Sequence, residues 1–176
     1  MQTFHSQATV GSTTFYRFDN GAGMTQPTAK AHCLTEGLVL CKVSSQEEQD
    51  AIWGLSRGAP NTASLWIGLQ KANSGSPWLW QDNSSPSYLG WVGKEPSSPN
   101  SDFCSHIWDG TAPAGWNDIH CTLNTHPNGF ICSGPATSSS LSSMVFEVRQ
   151  CEAHVVMCWS VTCFAHNLVR ASSFCL

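Results

Sequence analysis

Between Trp91 and the run Trp116-Asn117-Asp118 the chain gathers oxygen-bearing side chains. Glu95 and Ser97 flank Pro96, Asp102 stands two residues before Cys104, and Asn117 and Asp118 follow Trp116. Carboxylate, amide and hydroxyl oxygens are hard donors, and Ca2+ collects ~6 to 8 of them at about 2.3 to 2.6 Å. Singly, each residue reads as a solvated loop group, and Asn117-Asp118 as a plain turn. Their joint placement is what brings cation binding forward. Other chemistries find no support. The seven His residues show no His-x-x-His or His-Glu-x-x-His spacing, which argues against zinc and leaves them scattered surface or capping roles. There is no Gly-x-Ser-x-Gly elbow and no phosphate loop, and nothing pairs a nucleophile with a base, so an enzyme is not expected.

Composition narrows the setting. Charged residues make up 11% of the 176-residue chain, against roughly 25% in an ordinary domain. A formal charge of −4 with no basic block excludes a surface that tracks a phosphate backbone, so nucleic acid is not an expected partner. Apolar residues at 41%, with eight Trp and eight Phe, supply one sizeable core, which means one domain or at most two. Nine cysteines without a Cys-x-x-Cys pair point to disulfides in an oxidising, extracellular compartment, and the odd number leaves at least one thiol unpaired. Met1 to Thr14 never builds the apolar run of a secretory signal, so export would call for a signal segment outside these residues. The most apolar stretch, Val155 to Phe164, falls short of the ~20 residues that span a bilayer.

The elements that must position the loop come next. Thr25 or Thr28 can cap a first helix, Pro27 suits its first turn, Ala29 and Cys33 share a face, and Gly37 stops it. Ser44 with Glu47, or Ser45 with Glu48, makes a capping box for a second helix whose apolar stripe is Ala51, Ile52 and Leu55, ending at Gly58 and Pro60. Leu65 to Leu69, Trp78 to Trp80, Phe103 to Ile107 and Gly129 to Cys132 read as short strands between Asn, Ser, Gly and Pro. Helices followed by antiparallel strands make an α+β domain. Composition shifts at Ser133-Gly134-Pro135 into a Ser-rich segment, where the domain is expected to end.

Taken in order, these segments resemble a C-type lectin-like domain in its short form. The likeness runs through Tyr16-Arg17-Phe18, the helix bearing Cys33, the Ser45-to-Glu48 helix entry, Trp66-Ile67-Gly68-Leu69 and Trp78-x-Trp80 with Asp82. It continues through Trp91, Glu95-Pro96-Ser97, Cys104, Trp116-Asn117-Asp118, Cys121 and Phe130-Ile131-Cys132. The resemblance implies a double-loop α+β fold over residues 10–133, with two helices flanking small antiparallel sheets, and a linker and Cys-containing tail over 134–176. It further implies disulfides Cys33–Cys132 and Cys104–Cys121, closing loops of ~100 and ~18 residues that the chain-entropy model values at roughly 4.7 and 3 kcal/mol. Cys41, in Leu38 to Val43, reads as a buried small hydrophobe. Cys151, Cys158, Cys163 and Cys175 lie in the tail, where oligomerisation through intermolecular disulfides is one option.

The resemblance also places Glu95, Ser97, Asp102, Asn117 and Asp118 on the family's principal calcium positions, with a cis bond before Pro96. On that reading two neighbouring hexose hydroxyls replace calcium-bound water while Glu95, Ser97 and Asn117 exchange hydrogen bonds with them, making glycans the partner. Glu95-Pro96 follows the mannose-type signature. Ser97 stands where that signature has Asn, and a hydroxyl cannot coordinate through a carbonyl while donating from an NH2 group. Phe103 replaces an acid often found beside the cysteine. These departures keep open a metal-free protein-interaction module as the alternative. Trp66, Trp78, Trp80 and Trp116 read as core, and Trp108 as exposed near the site. Asn83-Ser84-Ser85 is an N-glycosylation acceptor sequence.

Overall fold

The computed structural model describes residues 3–19, 23–56, 64–108, 115–125 and 127–136. The chain divides into two units after Thr137, and the description concerns the first, Met1–Thr137. The tail cysteines, Gly58, Pro60 and Asp109-Gly110 lie outside the described residues.

Two helices precede most of the strands. Helix α1, Gln26–Thr35, starts at Thr25, whose side chain accepts from the Thr28 backbone. It has Pro27 in its first turn, and Gly37 follows its end with φ of 70°. It buries Gln26, Ala29 and Cys33. Helix α2, Gln46–Ser56, uses the later of the two capping boxes, with Glu48 N donating to Ser45 Oγ at 3.2 Å. The Glu48 carboxylate reaches back to Ser44 N at 2.6 Å. Its buried stripe is Gln49, Ile52, Leu55 and Ser56, so a polar residue takes the place expected for Ala51.

The strands are β1 (Thr3–Val10), β2 (Thr13–Asp19), β3 (Val39–Leu40), β4 (Leu65–Gln70), β5 (Leu79–Trp80), β6 (Cys104–Trp108), β7 (Gly115–Ile119) and β8 (Gly129–Pro135). They hydrogen-bond in the order β1-β2-β8-β4-β6-β7, with β3 on β8 and β5 on β4. The pairings are antiparallel except β4 with β8, which run parallel, so the ladder is mixed where antiparallel sheets were expected. The physical reason is that residues 71–128, with β5, β6, β7 and the long loop, separate β4 from β8, long enough for the crossover that a parallel pair needs. Strand β1 begins ahead of residue 10. Its apolar alternation, Phe4, Ala8 and Val10, is broken at Ser6, and pairing with β2 across the Gly11 turn supplies what that pattern lacks.

Phe15, Ile52, Leu65, Ile67, Leu69, Trp80, Ile107, Trp116 and Ile131 form one buried cluster, and Cys41 packs within it as a free thiol. Burial pushes the Cys41 thiol far above its ordinary range. A second cluster holds Phe18, Cys33, Trp66, Cys104, Phe130 and Cys132, and both disulfides, Cys33–Cys132 and Cys104–Cys121, are formed. Arg17 is buried on β2 and donates to Leu55 O at 2.6 Å and Ser56 O at 3.3 Å, satisfying the last carbonyls of α2.

Candidate functional site

Strand β7 ends the sheet order, and the chain from Gly90 lies along it. Trp116 N donates to Gly90 O at 2.7 Å and Val92 N to Trp116 O at 3.0 Å, with a parallel bridge between Trp91 and Trp116. The approach is close enough to require glycine in β7: a Cβ at Gly115 would stand 2.7 Å from Gly90 O. Trp116 is fully buried, packs its ring against Trp80, Tyr88 and Trp91, and donates from Nε1 to Gln49 Oε1 at 2.6 Å. Gln49 is therefore buried on α2 to meet that indole, and the long loop enters from a rigid anchor.

Beyond the anchor the loop turns through Gly93, with φ of 58°, and Glu95 N donates to Val92 O at 3.0 Å. The Glu95-Pro96 bond is cis. Asp118, 3% exposed, accepts Ser97 N on Oδ1 at 3.0 Å and Ser98 N on Oδ2 at 2.9 Å. Ser97 N also donates to Glu95 Oε2 at 2.9 Å. One backbone amide thus sits between two carboxylates from distant parts of the chain. Burial, and then the Asp118 carboxyl beside it, hold the Glu95 carboxyl above its ordinary value, while hydrogen bonds from Ser97 work the other way. Lys71 steadies the far arm of the loop, donating from Nζ to Pro99 O at 3.0 Å while lying over the Trp78 and Phe103 rings.

Asn117 follows the anchor on β7 and is half-buried. Its Nδ2 donates to Asp118 O at 2.8 Å and to His106 Nε2 at 3.0 Å. The antiparallel register of β6 and β7 sets His106 directly opposite Asn117. His106 is 1% exposed, and its Nδ1 meets Ser64 Oγ. The sequence reading gave the histidines surface or capping roles. His120 fits that, accepting from Thr122, but His106 does not. Its period-two position beside Cys104 and Ile107 was the signal available, and only the register shows what lies opposite.

Of the five expected ligands, Glu95, Ser97 and Asp118 meet directly, and Asn117 adjoins them through the Asp118 carbonyl. Asp102 stands apart in its hydrogen bonding: its backbone donates to Ser98 O at 3.0 Å, closing a turn. Among the described residues no three His, Cys, Asp or Glu side chains draw together tightly enough to hold a metal ion. What the site does offer is two carboxylates in contact, paired among the described residues with no Lys, Arg or His, and neutral oxygens from Ser97 and Asn117 beside them. That donor chemistry fits a hard divalent cation. Trp108 is 36% exposed at the end of β6, opposite Gly115, while Trp66, Trp80 and Trp116 are core and Trp78 is half-buried against it.

Comparison with known proteins settles the class. Residues 22–134 match the model of the Lectin C-type domain. C-type mannose receptor 2 of Homo sapiens is 32% identical over 108 residues, which are 61% of this chain and 7% of that receptor, so the chain spans a small part of that relative's length. A C-type lectin mannose-binding isoform of Notechis scutatus scutatus is 41% identical over 69 residues, 39% of this chain and 42% of its own. Among solved structures, the C-type lectin domain of murine dendritic cell inhibitory receptor 2 in complex with N-glycan superposes with a TM-score of 0.62 at 25% identity, over 73% of this chain and 95% of that one. The order of helices and strands, the two disulfides, the loop seated on β7 and the matched span together make this chain a member of the C-type lectin domain family, a family of binding modules without catalysis.

Proposed function

We propose that the domain is an extracellular, calcium-dependent carbohydrate-binding module in which Glu95, Ser97, Asp102, Asn117 and Asp118 would hold Ca2+. The observation that carries this reading is the meeting of Glu95 and Asp118 around Ser97 N with no cationic side chain paired to either among the described residues. A bound calcium ion would supply coordination places that two neighbouring sugar hydroxyls can take in exchange for water, with no covalent bond made or broken. Around such a ligand Glu95 accepts from hydroxyls and Ser97 contributes its own hydroxyl. Mannose-type glycans are the favoured class, supported by the Glu95-Pro96 pair and by the mannose-binding name of the Notechis relative. The two disulfides support an oxidising, extracellular setting. No helix among the described residues is long and apolar enough to cross a membrane. Asn83, exposed in a turn with φ of 64°, is proposed as a glycosylation site.

A few polar contacts on an open surface give millimolar affinity for single sugars, about −4 kcal/mol, and avidity then comes from several copies, for which the tail cysteines offer a link. Calcium titration followed by tryptophan fluorescence, then a glycan array with and without chelator, tests the reading. Glu95→Gln is expected to weaken calcium binding at least tenfold, about 1.4 kcal/mol. Lowering the pH from 7 toward about 4 should release metal and sugar together, because the ligands must be ionised.

A metal-free protein-interaction module is the second reading. It is favoured by Asp118, whose two oxygens are already held by Ser97 N and Ser98 N, so that the loop keeps its shape without a cation. Ligand binding that ignores chelator and survives both Glu95→Gln and Asn117→Asp would establish it in place of the first.

A further inference from the structure

Helix α1, strand β3 and the chain at the end of β5 border a groove of about 180 Å³ that the calcium and carbohydrate reading does not use. Lys30 and Leu34, four residues apart and so on one face of α1, form one wall. Val39 and Leu40 of β3, with Trp80 and Gln81, form the rest. Much of its apolar surface is open, since Leu34 is 59% and Val39 48% exposed. The rim is charged unevenly. Lys42 is engaged, donating from Nζ to Asp82 Oδ2 at 3.1 Å and to Ser84 Oγ at 2.7 Å. The Lys30 side chain makes no ion pair or hydrogen bond among the described residues, so one positive charge at the groove is left uncompensated.

The groove also holds unmet donors. Among the described residues four buried side-chain nitrogens have no hydrogen-bond partner, and two of them, Trp80 Nε1 and Gln81 Nε2, belong to residues that line this one groove. A buried donor without an acceptor is costly, and an indole N–H can only donate, so what is missing there is an acceptor. Trp80 is 2% exposed and fixed against the Trp116 ring, whereas the Gln81 side chain has no hydrogen bond among the described residues to hold it and is free to turn toward an occupant. Apolar walls, an uncompensated cation and donors lacking an acceptor together describe the complement of one kind of molecule. We propose that this groove is a ligand site apart from the loop on β7, taking a small amphiphilic carboxylate whose apolar body lies on Leu34, Val39 and Leu40 and whose oxygens meet Lys30 and the donors of Gln81 and Trp80. The volume is below the roughly 300 Å³ at which drug-sized pockets begin, so a short chain or a single ring fits and a long acyl chain does not.

The test uses octanoate as the probe and the full chain with chelator present, so that no calcium at the β7 loop contributes. In nitrogen-15 spectra, octanoate should move the Trp80 indole signal, the Gln81 side-chain amide and the backbone signals of Leu34 and Val39, with a Kd of about 1 mM or below. Octanol, with the same chain and no charge, should bind about tenfold more weakly, as should octanoate to Lys30→Gln, because each loses the charge-assisted contact. Val39→Asp, at an exposed position where folding is not at stake, sets a carboxylate against the probe and should weaken it by at least about tenfold. Octanoate that leaves these signals in place at about 10 mM, octanol that binds as well as octanoate, or a Lys30→Gln or Val39→Asp chain that binds like wild type would each overturn the proposal.

Discussion

Asp118 and Asp82 show how differently a carboxylate behaves with its surroundings. Asp118 is buried and spends both oxygens on backbone amides of the loop, so its charge shapes the site. Asp82 is exposed, accepts from Ser84 and pairs with Lys42 Nζ at 3.1 Å. Hydrogen bonds from Ser84, and then the Lys42 ammonium, lower its pKa to about 2. A carboxyl lowered on folding stabilises the protein above its ordinary value, and that contribution disappears as pH falls through about 2. Because the pair is exposed and screened, Asp82→Asn should cost no more than about 0.5 kcal/mol at pH 7. The gap between mutant and wild-type denaturation midpoints should hold down to pH 4 and close toward pH 2. A gap that stays constant across that range would assign the effect to the shape of the side chain instead of its charge. None of this was legible in the sequence, where Lys42 and Asp82 lie forty residues apart and Asp82 served only as part of a tryptophan-rich motif.

At the scale of elements, α2 carries the anchor for the site. Ser45 caps it, Glu48 closes the box, and the next residue, Gln49, reaches the Trp116 indole. Ser45→Ala is expected to cost about 1 kcal/mol by removing the cap, measurable by urea denaturation. Removal of the cap is not expected to move calcium affinity by more than a factor of about two, since Gln49 stays held by the rest of the helix, and a larger change would mean that the cap sets the Trp116 anchor. The sequence contained both possible boxes, one residue apart. Choosing between them required the packing of Ile52 and Leu55, which a capping motif does not encode. Strand β1 was not legible for the opposite reason. Its residues are largely polar, and its place is set by the hydrogen bonds that β2 offers.

At the scale of the molecule, the disulfides divide the work. Cys33–Cys132 spans 99 residues and ties α1 to β8, while Cys104–Cys121 spans 17 and ties the start of β6 to the chain just beyond β7. In the chain-entropy model, replacing the first pair by alanines costs about 4.7 kcal/mol and the second about 3. The second loss should nonetheless weaken ligand binding more, because β6 and β7 carry His106, Asn117 and Asp118. Denaturation and calcium titration of the two double variants would separate these effects, and a first pair that matters more for both would refute the division. The sequence by itself determined the α+β class, and its resemblance to a C-type lectin-like domain implied the two bridges, because capping residues and the order of short motifs are local or one-dimensional signals. Only the tertiary structure decided that β4 runs parallel to β8, that Glu95 and Asp118 share an amide, and that Asn117 faces a buried histidine. Those depend on strand register and on the path of the loop across β7, which are set by contacts between residues that lie far apart along the chain.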